Sequence, residues 1–266
     1  MRSALGAYRA EWLRLATARA LLLLPASGLA AAAYAYSLGV AAERGLFGAP
    51  TGFYLAASGA TGAGITCAAV GALLAASAVG SDFASGVART ALCRPVPRAV
   101  WLLARLGALA TALGLVFLAA CLGALLAGQA RFGLGAILEG SYVLAPWGLL
   151  LRQLCVAAAT CMLGQTVAVA AGGVLGMAFG RPGPAVASTA VLGAGLLALG
   201  RWPEVEPLLP TTFLTSGLDR VTQLAQGLAT LHATDVAPRA VLVLTAWLLG
   251  VLALGVPLLS AKDIAS

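Results

Sequence analysis

Residues 54–79 read YLAASGATGAGITCAAVGALLAASAV, 26 residues without a Lys, Arg, Asp or Glu. As a helix rising about 1.5 Å per residue, this stretch is about 39 Å long, more than the roughly 30 Å of a bilayer's hydrocarbon core. In lipid the backbone must satisfy its own hydrogen bonds, which a single segment does only as a helix. Working outward, similar apolar runs occur at 18–40, 99–127, 149–179, 183–200 and 239–260. The chain therefore reads as all-α, a polytopic membrane protein with six transmembrane helices. Composition points the same way. The chain is 61% hydrophobic and 9% charged, with mean hydropathy +0.97, where a soluble domain carries about 25% charged residues. Six spans and their connections use nearly all of residues 1–266, so one transmembrane domain is expected and no separate soluble one.

Charge is sorted across the spans. With the N-terminus inside and sides alternating, the inner segments hold ten of the sixteen Lys and Arg against three acids. The outer segments hold six against six, so the whole net charge of +7 lies on the inner face. Positive-inside bias then puts both termini in the cytoplasm. The basic residues flank apolar runs, where they meet lipid headgroups, so nucleic acid is not an expected partner and membrane lipid is. Abundant Ala and Gly, with one Lys among sixteen cations, suggest a GC-rich bacterial genome and a plasma-membrane location. Five Cys at 67, 93, 121, 155 and 161 lack C-x-x-C spacing and read as small apolar filler. The N-terminal run reads as a retained span rather than a cleaved signal, because a 17-residue helical region containing Glu11 and Trp12 precedes it.

That region, 3–17, repeats Leu5, Tyr8, Trp12 and Leu15 at helical spacing with Arg2, Arg9 and Arg14 elsewhere, the pattern of an amphipathic interfacial helix. Gly172, Gly176 and Gly180 form a small-residue ridge in the fourth span, suited to close packing within the chain or to contact with a second copy. Residues 201–238 form the longest polar segment, expected outside as an extracellular segment. A helix near 211–231 carries Phe213, Leu214, Leu218, Val221, Leu224, Leu228 and Leu231 on one stripe, able to dip into the membrane or cover the span ends. Gln153, Gln165, Thr160 and Thr166 in the fourth span read as helix-to-helix hydrogen bonders or pathway groups. Tyr34, Ser58, Thr61 and Thr66 are candidate pathway-lining residues.

The loop 81–98 carries the strongest local pattern. Asp82 is expected to cap a short cytoplasmic helix over 81–95, with Phe83, Val87 and Ala91 on one face, Gly86 permitting close approach and Pro95 ending it. The series Gly80-x-Asp82-x3-Gly86, Arg89-Thr90 and Arg94-Pro95-Val96-Pro97-Arg98 resembles the loop after the second span in type-2 ABC exporter permeases. Here Asp82 stands where Glu is commoner, and Thr90 is displaced from the glycine. Arg105 stands near the family's basic residue in the third span. The basic N-terminal helix, the six spans, Leu209-Pro210-Thr211 before the last span and the Lys262-Asp263-Ile264 end also fit that layout.

The resemblance implies a permease that pairs with a second copy or a related permease and engages separate ABC ATPase subunits. Tyr8, Glu11, Trp12, Asp82, Phe83, Gly86, Val87, Arg89, Thr90, Pro95 and Arg98 are the contact residues it implies. ATP and Mg would be bound by the partner, in keeping with the lack of a G-x-x-x-x-G-K-[ST] sequence here. The implied function is ATP-driven efflux, of a drug, a peptide antibiotic or a lipid-like molecule. The alternative is a non-transporting membrane scaffold or assembly factor. The chain is not expected to be an enzyme on its own. His232 is its only His, which excludes Ser/His or two-His sites within one copy, and three Met disfavour metal export. No Asp, Glu or Lys falls in the middle of the six runs, as proton coupling would require.

Overall fold

The computed structural model describes residues 2–15, 23–43, 51–88, 97–139, 142–227 and 236–261. In order these form α1 (Arg2–Leu15), α2 (Leu23–Glu43), α3 (Gly52–Ala84), α4 (Arg98–Phe132), β1 (Ile137–Glu139), β2 (Tyr142–Ala145), α5 (Trp147–Phe179), α6 (Pro182–Leu199), a 3-10 turn (Glu206–Leu208), α7 (Pro210–Ala225) and α8 (Val236–Ala261). Six helices, α2 to α6 and α8, are long and apolar enough to cross a membrane. They coincide with the six apolar runs. The start of the first run, 18–22, lies outside the described residues.

α3 is the hub, packed against α2, α4, α5, α6 and α7. Small residues make this possible. A Cβ on Gly172 would collide with the carbonyl oxygen of Ala72, and one on Gly176 would lie 2.6 Å from that of Ala76. The glycine ridge of α5 is thus a backbone-to-backbone seam with α3 inside one chain, and Gly180 closes α5 in the left-handed conformation at φ 63°. Phe117, Leu218, Cys67 and Cys161 fill the middle of the bundle, and Trp101, Leu102, Leu106 and Met177 fill the end beneath α1. By contrast α6 buries only Ala185 and Thr189, while Val191 and Leu242 are about 70% exposed. Such outward apolar faces suit lipid rather than water.

The structure refines three expectations. The apolar run 99–127 ends five residues short of the helix: α4 runs on to Phe132 and stops at Gly133, φ 73°. An antiparallel hairpin then pairs Ile137 with Ala145 and Glu139 with Tyr142, before Pro146 leads into α5. α7, whose stripe was expected either to dip into the membrane or to cover the span ends, enters the bundle. Its stripe is buried at Phe213, Leu218, Val221 and Leu224 because it inserts beside α5. Leu214 packs at Gly164, midway along α5, while Ala225 at its other end accepts from Thr51 Oγ1. Leu228, Leu231 and His232 lie outside the described residues. Finally, Asp82 does not cap a new helix. It sits in the last turn of α3, which ends at Ala84 and turns at Gly86, φ 75°. Helix resumes at Val87, and the remainder of the expected 81–95 helix, from Arg89 on, lies outside the described residues.

Candidate functional site

An acid in the last turn of a helix is disfavoured by the helix dipole, so Asp82 needs cations. It finds two. Arg14 of α1 donates from Nη2 to Oδ1 at 3.0 Å, and Arg105 of α4 brings Nη2 to 3.1 Å from Oδ2. The other prong of Arg105, Nη1, donates to Oε2 of Glu11 on α1 at 2.6 Å. Asp82 is 2% exposed and Arg105 4%. Two carboxylates and two guanidiniums therefore form a neutral network joining three helices at one end of the bundle, buried at Asp82 and Arg105 and open at Arg14, whose side chain is 47% exposed. Arginine suits this position because its planar fork can serve two acids at once.

The same contact is extended on both sides. Tyr8 donates to Thr111 Oγ1 at 2.9 Å, and a Cβ on Gly107 would touch its ring at 3.8 Å. Leu15 packs on the core cluster holding Val79, Trp101, Leu102 and Leu106. Phe83 meets Trp101 edge-on, with ring centroids 6.2 Å apart. α1 is therefore fastened along α4 by its Tyr8, Glu11, Leu15 side, while Leu5 and Leu13 are at least 70% exposed. Trp12 is half-buried.

Of the residues that the resemblance implies as partner contacts, the structure brings Tyr8, Glu11, Trp12, Asp82 and Phe83 together. Yet Glu11 and Asp82 spend their charges inside the chain, and Phe83 packs on Trp101. Those two charges and the Phe83 ring therefore face the chain's own helices. What faces out is the tip after α3: Ala84, Ser85 and Val87 are exposed, and nothing lies within 4 Å of the place a Cβ on Gly86 would occupy. Arg98 lies at the start of α4 and reaches the carbonyl of Leu259 at 3.4 Å. Arg89, Thr90 and Pro95 lie outside the described residues. The centre of the network, Arg105, was seen in sequence only as a basic residue of the third span. The available signal was a lone cation within Trp101–Gly114, a run with no acid of its own, which must find a partner elsewhere.

The four candidate pathway residues divide into two places. Tyr34 and Thr66 line an apolar cleft of about 680 Å³ between α2, α3 and α4. Ser58 and Thr61 do not line it. Thr61 instead donates to Asp219 Oδ1 at 3.4 Å. Three of the four polar residues singled out in α5 bond within their own helix rather than across helices: Thr160 to Ala157 O, Thr166 to Met162 O, and Gln165 to Cys161 Sγ. Gln153 and Thr160 border a second cavity of about 240 Å³ with Arg152 and Arg220, between α5, α7 and α8.

No protein-family model matches the chain, and no curated protein is significantly similar to it.

Proposed function

We propose that this chain is the membrane permease subunit of an ATP-driven exporter, working as a pair of permeases with separate ATPase subunits. The observation that carries the proposal is the fastening of α1 to the ends of α3 and α4 through Arg105. A helix held by charge at the bundle end, next to an exposed turn at 84–87, forms one stiff lever. A push on that turn moves α3, and α3 touches five other helices. The charge sorting puts this end in the cytoplasm, where an ATPase would be. The inward turn of Glu11 and Asp82 modifies the residue roles: they position the lever, while Ser85, Gly86 and Val87 meet the partner. The membrane is the plasma membrane of a bacterium, with both termini inside.

The test is purification of the full chain in mild detergent with mass spectrometry of what stays bound. A P-loop ATPase is expected, and Val87→Asp should release it while leaving the chain folded. Gly86→Trp is a less clean variant because φ 75° strains any side chain there. A chain that purifies alone, under conditions that preserve other ABC complexes, would sink the permease reading in favour of a scaffold.

A further inference from the structure

Independently of the permease reading, we propose that the cavity of about 240 Å³ between α5, α7 and α8 is a binding site for a phosphate group, held by the guanidiniums of Arg152 and Arg220. The two arginines come from different helices, Arg152 from α5 and Arg220 from α7, and both line this one cavity. Gln153 and Thr160 line it too, and no carboxylate does among the described residues. Arg152 is exposed and makes no ion pair among the described residues. Two like charges on one small cavity repel each other, and an anion between them replaces that repulsion with attraction. The planar guanidinium fork matches the oxygens of a phosphate.

Helix packing builds this arrangement. Leu214 of α7 packs at Gly164 of α5, and a Cβ on Gly217 would lie 3.0 Å from that of Ala157 and 3.4 Å from Thr160 Oγ1. The two helices therefore run side by side in opposite directions. Arg220, three residues beyond Gly217, is carried about one turn closer to the Arg152 end of α5. The start of α8, at Ala237, Pro238 and Ala240, supplies the third wall.

Depth and size select the ligand. Gly176 of α5 lies against Ala76 and Gly80 of α3, near the Asp82 end of the bundle, so Arg152 is at the opposite end. α5 has 33 residues and is about 50 Å long. A hydrocarbon core of about 30 Å centred on it runs from about residue 153 to about residue 173. Arg152 stands at the edge of that core, beside the layer of lipid phosphates, and Thr160 lies deeper. A cation at this level is satisfied by headgroup phosphate. At about 30 Å³ per water, the cavity has the space of about eight waters, below the roughly 300 Å³ at which small-molecule pockets begin. It takes the phosphate group itself rather than a whole amphipathic molecule. A lipid headgroup and free phosphate both carry that group.

The test is native mass spectrometry of the full chain released from mild detergent. The probes are phosphatidylglycerol, diacylglycerol with the same acyl chains, and inorganic phosphate. Phosphatidylglycerol should be retained in preference to diacylglycerol. Arg152→Gln and Arg220→Gln should each weaken retention about tenfold, the loss of one charged partner. Ala237→Trp fills the cavity without changing the charge and should weaken it as much. Arg201→Gln, which removes an exposed charge at the same end, should leave it unchanged. Arg152 is exposed, so Arg152→Gln carries the test if Arg220→Gln does not fold. Displacement of the lipid by inorganic phosphate assigns the site to the free anion, and retention in its presence assigns it to the headgroup; either keeps the phosphate site. Equal retention of diacylglycerol, or a loss on Arg201→Gln as large as on Arg152→Gln, would overturn it. Asp235, just before α8, lies outside the described residues. Retention that emerges only in Asp235→Asn would also overturn the proposal, because the chain's own acid would then fill the cavity.

Discussion

Arg105 is the residue on which most depends. Breaking a buried ion network by removing one member costs about 3–5 kcal/mol, because the remaining charges stay buried. Arg105→Met strands Glu11 and leaves Asp82 with Arg14 as its one cation, and should lower the melting temperature of the detergent-solubilised chain. Adding Glu11→Gln and Asp82→Asn should restore part of the loss, since the carboxylates left short of a cation then disappear. If the triple variant melts no higher than Arg105→Met alone, the network is not what holds that end together. Glycines divide on the same local logic. Gly172→Ala places a methyl against the Ala72 carbonyl, backbone that cannot swing away, and should prevent stable folding. Gly193 has open space where its Cβ would be, so Gly193→Ala in α6 should be neutral or raise stability by up to about 1 kcal/mol. Thermal melts of the two variants side by side decide this.

Among elements, α1 and α7 gain their roles from contacts rather than from pattern. Both showed an apolar stripe in sequence. For α7 the stripe was right in phase, and Phe213, Leu218, Val221 and Leu224 are its buried members. What it faces was not legible, because a stripe reports that a face is covered but not by what. For Leu218 and Val221 the covering surface comes from Ala56, Ala57, Ala60 and Ala157, small residues more than fifty positions away. Leu218→Ala should therefore cost about 2–5 kcal/mol, where a helix lying on the membrane surface would lose far less. Equilibrium or thermal unfolding of that variant separates the two arrangements. For α1, deletion of residues 2–15 removes two of the four charges in the network, Arg14 and Glu11. It leaves Asp82 and Arg105 as a pair, so the bundle should survive with a lower melting temperature while ATPase recovery falls.

At the scale of the molecule, the permease reading predicts that reporters fused after Lys262 are cytoplasmic and reporters within 201–209 are outside. A reversed pattern would move the α1 end to the outer face and remove the ATPase from reach. The number and position of the spans were legible because each rests on local physics: a run of apolar residues in lipid has one way to satisfy its backbone, and that needs no knowledge of the rest of the chain. Sidedness was inferred from charge counts in short loops, which are equally local. Tertiary structure alone decided that Asp82 and Glu11 turn inward. A carboxylate carries no sequence mark of its partner, and Arg14 and Arg105 lie 68 and 23 positions from Asp82. It also decided that the glycine ridge of α5 seals against α3 and that Asp219 faces outward beside Thr61. Pairings of this kind arise from which helices become neighbours. That is set by the fit of small and large side chains summed over the whole bundle, not by any one segment.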